Sequence, residues 1–367
     1  MVAANSPSKR LVSLDALRGF TIAGMIMVNV PGSWSHIYPL LRHAEFNGLT
    51  LADLVFPFFL FIVGASIVLA LGKRIENGVA KSKMIKKVIY RTMIIFLLGV
   101  ILNWLSDNFT LPLRLAGVLQ RIALCYLVGS LLYIYASKVK MIVVGTILLV
   151  SYWLLIVFIP VPGEGGIVFT REMNWAAWVD GQWLPGKMYF GTWDPEGILS
   201  TFPAIVNTLL GIFATILITK SDDHLKKVKG LLIFGSALLM AGLLLSTSFP
   251  INKNVWSSSF VLVTSGLASI LWSILIYLVD IKSHKKLAMP GVIFGSNAIT
   301  AYVLHYLFHY PFEAIKFGGI SIQQHFMTFF SGFISDNLAS FFWAIFYTFF
   351  CFLPVWWMYH KKVFLKI

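Results

Sequence analysis

The strongest constraint on this chain is a series of apolar runs, each of about 18 to 24 residues, that recurs from one end to the other. A helix of that length crosses a hydrocarbon core about 30 Å thick and satisfies its own backbone hydrogen bonds there. The chain has 58% hydrophobic and 12% charged residues and a mean hydropathy of +0.81. That composition leaves too little polar surface for a soluble domain, so we expect an integral membrane protein.

The predicted fold is an all-α integral membrane protein, a polytopic bundle of about ten transmembrane helices that forms one domain over residues 1–367. The predicted spans cover approximately residues 14–34, 51–72, 88–105, 116–136, 141–159, 198–219, 230–249, 257–279, 291–310 and 338–359. The longest intervening segment, at about 160–197, is predicted to be an extracytoplasmic loop. Its tryptophans either stack on sugar rings above a pocket or belong to an aromatic belt at headgroup depth.

The basic residues predict the orientation of the bundle. Ten spans place both termini on one side, and 22 of the 29 Lys and Arg residues then fall at that side, which the positive-inside rule identifies as the cytoplasm. The net charge of +14 is therefore interpreted as a topogenic signal and a contact with anionic lipid, and no nucleic-acid partner is expected. The remaining seven basic residues are Arg42, Arg114, Arg121, Arg171, Lys187, Lys253 and Lys316.

The amino terminus and the two cysteines add little chemistry. Residues 1–10 are short and basic and lead into a span that we expect to be retained as the first helix, not cleaved as a signal peptide. Cys125 and Cys351 both lie inside apolar spans. Neither a disulfide framework nor a metal site is predicted.

A polar loop between the first two spans contains the most informative titratable residue. His43 lies where water meets the bilayer on the predicted outer side, a position suited to proton transfer. Asp53 follows Thr50 with the spacing of a helix capping box. The same carboxylate could also orient His43 and stabilise its imidazolium.

Four polar residues fall inside predicted spans, where they are costly. Asp15 and Arg18 lie three residues apart, so they either form an ion pair or offer a cationic mouth to phosphates arriving from the cytoplasm. Asn29 precedes a Pro-Gly break and either satisfies freed backbone groups or faces the same cavity as His43. Arg121 is expected to face the protein interior, because a lipid-facing guanidinium would cost about 2.5 to 3.5 kcal/mol.

Two further polar clusters are predicted near outer helix ends. One loop contains Asn252, Lys253, Asn254 and Trp256. A second series along the ninth predicted span consists of Asn297, His305 and His309, which approach one helical face and so are candidates to line the same cavity. An intramembrane histidine is also commonly a hydrogen-bonded packing residue.

Five motifs, in order along nearly the whole chain, resemble the heparan-α-glucosaminide N-acetyltransferase family. They are residues 43–57 (HAEFNGLTLADLVFP), 117–121 (GVLQR), 194–201 (DPEGILST), 251–256 (INKNVW) and 295–299 (GSNAI). The resemblance implies an enzyme that takes acetyl from cytoplasmic acetyl-CoA and places it on the amino group of a glucosamine-type sugar on the other side. It also implies a homodimer.

The resemblance and the residues together give a predicted site. His43 matches the family's active-site histidine and is expected to act as a general base or a transient acetyl carrier, with Asn29 and Asp53 beside it. Arg18, Asp15 and Arg121 are the predicted contacts to acetyl-CoA. Arg121 is alternatively expected to hold Asp194, Glu196 or the acceptor. The predicted acceptor-binding residues are Asn47, Asp194, Glu196, Asn252, Asn254, Trp256 and Asn297.

Two departures from the family affect the expected location and substrate. The chain lacks the family's large amino-terminal extension, which predicts a protein of the bacterial inner membrane, and Glu45-Phe46 replaces a small residue and a tryptophan, which leaves the acceptor open. The alternative function is a transporter or flippase of a glycan precursor. Such proteins usually have paired, broken helices in matching halves, and the sequence shows no such pairing.

Overall fold

The computed structural model describes residues 11–365, and nearly all of its regular structure is helical. The helices are α1 Val12–Asn29, α2 Leu51–Glu76, α3 Lys81–Ser106, α4 Val118–Tyr135, α5 Lys138–Phe158, α6 Trp175–Trp183, α7 Ile198–Thr219, α8 His224–Leu245, α9 Ser258–Leu275, α10 Lys285–Ser296, α11 Ala298–Ala314, α12 Ile322–Ser331 and α13 Asp336–His360. A short antiparallel hairpin of β1 Lys316–Phe317 and β2 Ile320–Ser321 precedes α12. The predicted positions of both termini, with Lys9, Arg10 and Lys366, lie outside the described residues.

The predicted polytopic helical architecture is confirmed, with a smaller count of clearly apolar helices. Within the described residues, eight helices are long and apolar enough to cross a bilayer, and the bent pair α10 and α11 would make a ninth. The first predicted span, α1, is not among them because it carries Asp15, Arg18 and Asn29. At 18 residues, α1 is nevertheless about 27 Å long, which approaches the thickness of the hydrocarbon core.

Glycines bring the central helices α2 and α7 into backbone contact. A Cβ atom on Gly64 would lie 2.0 Å from the carbonyl oxygen of Thr208, and one on Gly211 would lie 1.9 Å from that of Phe61. Lipid tails are as apolar as leucine, so helices in a bilayer associate largely through such close packing of small residues. This packing fixes the relative position of the two helices whose first residues lie at the candidate site.

The loops that follow α1, α3, α5 and α8 meet at one end of the bundle, here called the His43 end. The Gly48 N–H donates to the carbonyl oxygen of Ile251 at 2.8 Å, which joins the first loop to the fourth. The rings of Phe46 and Phe169 pack at 5.2 Å, which joins the first loop to the 160–197 segment. That segment also contains the nine-residue helix α6, which the sequence did not indicate.

The ninth predicted span is not one helix. It breaks at Asn297 into α10 and α11, which meet at an angle of 75°. The Asn297 side chain accepts from the Leu365 N–H at 3.0 Å and donates to the Val363 carbonyl at 3.1 Å, so the carboxy-terminal tail stabilises the break.

The break also places Asn297 away from the predicted acceptor site. Asp336, the first residue of α13, lies 3.5 Å from His36 in the His43 loop, whereas Asn297 contacts the tail beyond the other end of α13. We call that opposite end the Arg18 end. The expectation that Asn297 lies at the same end of the bundle as His43 is therefore wrong.

Candidate active site

His43 and Asp53 form the centre of the candidate site. The His43 Nδ1 lies 2.8 Å from the Asp53 Oδ1, and the Asp53 side chain is 1% exposed. The other carboxylate oxygen accepts from the Thr50 N–H at 3.1 Å, the Thr50 hydroxyl at 3.0 Å and the Ala44 N–H at 3.1 Å. Asp53 therefore caps the start of α2 and orients His43 at the same time, so the two predicted contacts coexist.

The carboxylate determines which histidine nitrogen can react. An ionised carboxylate only accepts hydrogen bonds, so Nδ1 carries the hydrogen and Nε2 keeps its lone pair. The imidazole side chain is 38% exposed, and the Lys253 Nζ lies 3.3 Å from Nε2. Partial burial and the positive charge of Lys253 hold the pKa of His43 below its ordinary value of 6.5, although the hydrogen bond to Asp53 opposes them. The imidazole is thus neutral at neutral pH.

Lys253 completes this cluster from the loop after α8. Its Nζ lies 3.1 Å from Nδ1 and 3.3 Å from Nε2 of His43, and 3.6 Å from the Asp53 Oδ1. Burial lowers the pKa of Lys253, against the pull of the neighbouring carboxylates. Sequence reasoning placed Lys253 in a polar loop but gave it no role, because 210 residues separate it from His43.

The predicted acceptor-binding amides hold the two loops together. The Asn252 side chain donates to the Asn47 Oδ1 at 2.9 Å, and Asn254 donates to the Glu45 carbonyl at 3.3 Å. Asn252 also accepts from the Val255 N–H at 3.1 Å, which shapes its own loop. These contacts give the amides a structural role in positioning His43 and Lys253.

Trp256 and Arg121 lie in the interior beneath the cluster. The Trp256 side chain is 1% exposed and donates to the Asn207 Oδ1 at 2.8 Å, so this tryptophan offers no open face to a sugar ring. The Arg121 guanidinium stacks on it at 4.9 Å from the ring centroid. Arg121 donates to the Ser200 hydroxyl and, at 3.2 Å, to the Gly197 carbonyl. Its predicted interior position is confirmed.

A neighbouring arginine, Arg114, makes the ion pairs that were expected of Arg121. Arg114 contacts both oxygens of Asp194 at 2.8 Å and the Glu196 carboxylate at 2.7 Å. Burial opposes protonation of this guanidinium, but the two carboxylates outweigh it and raise the pKa of Arg114. The expectation that Arg121 forms ion pairs with Asp194 or Glu196 is thus wrong, because Arg114, in the loop just before α4, forms both of them.

The other predicted residues lie at two different ends. Asn29 is the last residue of α1 at the His43 end, and its side chain is half-buried. Arg18 and Asp15 form the expected ion pair at 3.2 Å. Arg18 also donates to the Ser66 hydroxyl at 2.8 Å, which ties α1 to α2 at the Arg18 end.

A narrow apolar cleft, with room for about one water molecule, lies between these two ends. Ile22 and Ile299 lie one turn beyond Arg18 and just after the α10–α11 break, whereas Phe56 lies one turn beyond Asp53. The cleft therefore lies among α1, α2, α4 and α11. Its lining residues are Ile22, Met25, Phe56, Phe59, Val118, Leu119, Ile122, Ile299 and Tyr302.

In the part of the chain that the structure describes, no three His, Cys, Asp or Glu side chains come together as a metal site. The groups at the site are a histidine with an orienting carboxylate, a close cation and a narrow apolar cleft beneath them. Such a set can accept a proton and stabilise a developing negative charge.

Comparison with known proteins gives one consistent family. The sequence model of the family described as "Heparan-alpha-glucosaminide N-acetyltransferase, catalytic" matches residues 10–246. The chain is 30% identical to the mouse heparan-alpha-glucosaminide N-acetyltransferase, over 99% of this chain and 61% of that protein. It is 29% identical to the human protein of the same name, over 98% of this chain and 60% of the relative. The chain thus spans about 60% of the length of these relatives. It belongs to the heparan-alpha-glucosaminide N-acetyltransferase catalytic family.

Proposed function

We propose that this protein transfers acetyl from acetyl-CoA to the amino group of a glucosamine-type sugar, with His43 as the general base. The observation that carries the proposal is the 2.8 Å contact between His43 Nδ1 and the buried Asp53, which leaves the lone pair on Nε2 to accept a proton. The family membership supports the reaction type and favours it over the transporter alternative.

The chemistry needs a base because an amine at neutral pH is largely protonated. His43 is neutral there, so Nε2 can accept the proton that the attacking nitrogen loses, and such catalysis contributes about 10²- to 10⁴-fold in rate. Asp53 stabilises the imidazolium that results. In the second route, Nε2 itself accepts the acetyl group and passes it on. The same Asp53 contact would serve both routes.

Acetyl-CoA is proposed to approach from the Arg18 end. Its pantetheine arm is narrow and long enough to need a path through the bundle, and we propose that the helices around the narrow apolar cleft below His43 separate to admit it. Arg18 and Asp15 lie at the opposite end of the same helices, where a guanidinium can contact phosphate. Arg121 is proposed to contact the acyl or pantetheine part, because its Nε and Nη1 have no hydrogen-bond partner among the described residues.

The acceptor is proposed to enter at the His43 end. The Glu196 side chain is 10% exposed beside Arg114, and its charge acts on both His43 and Lys253, so it lies close to the reacting groups. Asp194 is fully covered and is proposed to support Glu196 through Arg114. Asn29 is proposed to contact the reacting groups from the end of α1.

The membrane orientation is part of the proposal. The excess of Lys and Arg at the Arg18 end supports a cytoplasmic position for that end and an extracytoplasmic position for His43. We propose a bacterial inner-membrane protein with both termini in the cytoplasm, acting on an amino sugar outside, and we carry over the homodimer from the family resemblance.

Transfer of radiolabelled acetyl from acetyl-CoA to glucosamine by the purified protein tests the proposal. We expect transfer by the wild type and at least a 10²-fold lower rate for His43→Ala. His36→Ala is the matched control, because His36 lies in the same loop and its ring nitrogens contact Asp336 and Ser33. Full activity of His43→Ala, or no transfer to any amino-sugar acceptor by the wild type, would overturn the proposal.

A further inference from the structure

Lys253 is held in one position by its own loop. The Trp256 N–H donates to the Lys253 carbonyl at 3.1 Å, and the Ser257 N–H donates to the Asn252 carbonyl at 2.9 Å. Asn252 is also bonded to Asn47 across the interface of the two loops. The Lys253 side chain is 19% exposed, so the ammonium lies within the protein and beside the imidazole. Its position is therefore built before any substrate arrives.

The Lys253 ammonium forms an ion pair with Asp53 and also contacts the His43 imidazole. The Asp53 carboxylate already accepts from His43, Ala44 and Thr50, and the Lys253 Nζ lies 3.6 Å from it, beyond direct hydrogen-bond range. The His43 Nδ1 hydrogen is directed at Asp53, so Nδ1 has no lone pair for the lysine. One ammonium hydrogen can be directed at the Nε2 lone pair, which lies 3.3 Å from Nζ, and a second hydrogen is available to a substrate oxygen that binds beside Nε2.

We propose that Lys253 is a catalytic residue that donates to the oxyanion formed on the thioester carbonyl. This inference rests on the proposed acetyl transfer. The amine nitrogen bonds to the carbonyl carbon, the carbonyl π electrons move to oxygen, and Nε2 of His43 takes the amine proton. When the intermediate collapses, the C–S bond breaks and the thiolate leaves with the proton from His43. Lys253 neutralises the oxygen while it carries the charge.

The charges that face Lys253 come from three other elements and support this role. Asp53 and Glu196 favour the ammonium form, whereas burial and Arg121 disfavour it. The positive charge of Lys253 in turn lowers the pKa of His43. Removing it should therefore lower the rate of the chemical step and also move the pH at which His43 becomes protonated.

The test compares Lys253→Met, Lys253→Arg and the matched control Lys187→Met. Lys187 lies at the same end of the bundle and pairs with Asp107 at 2.9 Å, away from His43. The readouts are kcat and KM for acetyl transfer and the pH dependence of kcat/KM. A monodisperse elution profile identifies the folded variants, and Lys253→Arg keeps a cation if Lys253→Met does not fold.

We expect kcat of Lys253→Met to fall by about 10²- to 10³-fold with little change in KM, the usual loss for one oxyanion donor. The acidic limb of its kcat/KM profile should move to higher pH, because the pKa of His43 rises when the neighbouring positive charge is lost. Lys253→Arg should recover part of kcat, and Lys187→Met should match the wild type. A kcat for Lys253→Met within about five-fold of the wild type, or an unmoved acidic limb, would overturn the inference. If Lys253→Met is active but His43→Ala is inactive, the proposed acetyl transfer is kept and only the role of Lys253 is overturned. An inactive wild type would overturn both the proposed function and the role of Lys253.

Discussion

The substitution Asp53→Asn changes the tautomer of His43 while it keeps the shape of the site. The asparagine has almost the same size, and its carbonyl oxygen can still accept from the Ala44 and Thr50 N–H groups that now lie 3.1 Å away. Its NH₂ group would then face the His43 Nδ1. That nitrogen must become the acceptor, so the hydrogen moves to Nε2, and the lone pair needed for proton abstraction is lost.

The size of the effect follows from what the carboxylate supplies. Asp53 is 1% exposed and 2.8 Å from the imidazole, so it both selects the tautomer and stabilises the imidazolium in a site with little solvent. Loss of general-base catalysis is worth about 10²- to 10⁴-fold, which is about 2.7 to 5.5 kcal/mol of transition-state stabilisation. We expect kcat for acetyl transfer to fall by that factor, with a smaller change in KM.

The assay is initial-rate acetyl transfer from acetyl-CoA to glucosamine at saturating cosubstrate. Asp107→Asn is the control, because Asp107 is also at the His43 end and pairs with a lysine, but it lies outside the cluster. Circular dichroism of both variants checks that the overall helix content is unchanged. An Asp53→Asn enzyme within about five-fold of the wild type would refute the role given to the carboxylate.

Three further predictions concern pH, an ion pair and helix packing. Because the pKa of His43 is lowered and the neutral imidazole is the active form, kcat/KM should be full above pH 6.5 and fall only as the pH drops through a value below it; a midpoint above 6.5 in the pH profile would contradict this. Arg114→Ala leaves Asp194 fully covered without its cation and should destabilise the fold by about 3 to 5 kcal/mol, seen as a lower melting temperature; an unchanged melting temperature would argue against the ion pair. Gly64→Leu should separate α2 from α7 and abolish monodisperse protein, whereas Gly165→Ala, which has open space around it, should elute normally; equal profiles would show that the close packing is unimportant.

The features that could be predicted from the sequence, the membrane spans and the surroundings of His43, depend on residues close together in the chain. Apolar length alone indicated the spans, and the sixth predicted span, 198–219, coincides with α7. The proximity of His43 and Asp53 could be inferred because only ten residues separate them and the capping position fixes the carboxylate. The cost of a lipid-facing guanidinium was enough to place Arg121 inside.

Contacts between distant segments explain what the sequence did not reveal. The break at Asn297 depends on hydrogen bonds to the tail 66 and 68 residues later, so an apolar run read by itself looks like one helix. Arg114 pairs with Asp194 and Glu196 in place of Arg121 because of where the 160–197 segment packs against the bundle, which the sequence does not show. Lys253 meets His43 only because the loops after α1 and α8 pack together.

The central claim is that His43 takes part in acetyl transfer at the end of the bundle opposite to Arg18. Its most direct test uses sealed proteoliposomes of uniform orientation with labelled acetyl-CoA only on the Arg18 side and glucosamine only on the His43 side. We predict N-acetylglucosamine on the His43 side for the wild type and about 10²-fold less or none for His43→Ala. Product that forms at the same rate without the His43 side chain, or only when both substrates share one compartment, would contradict the account.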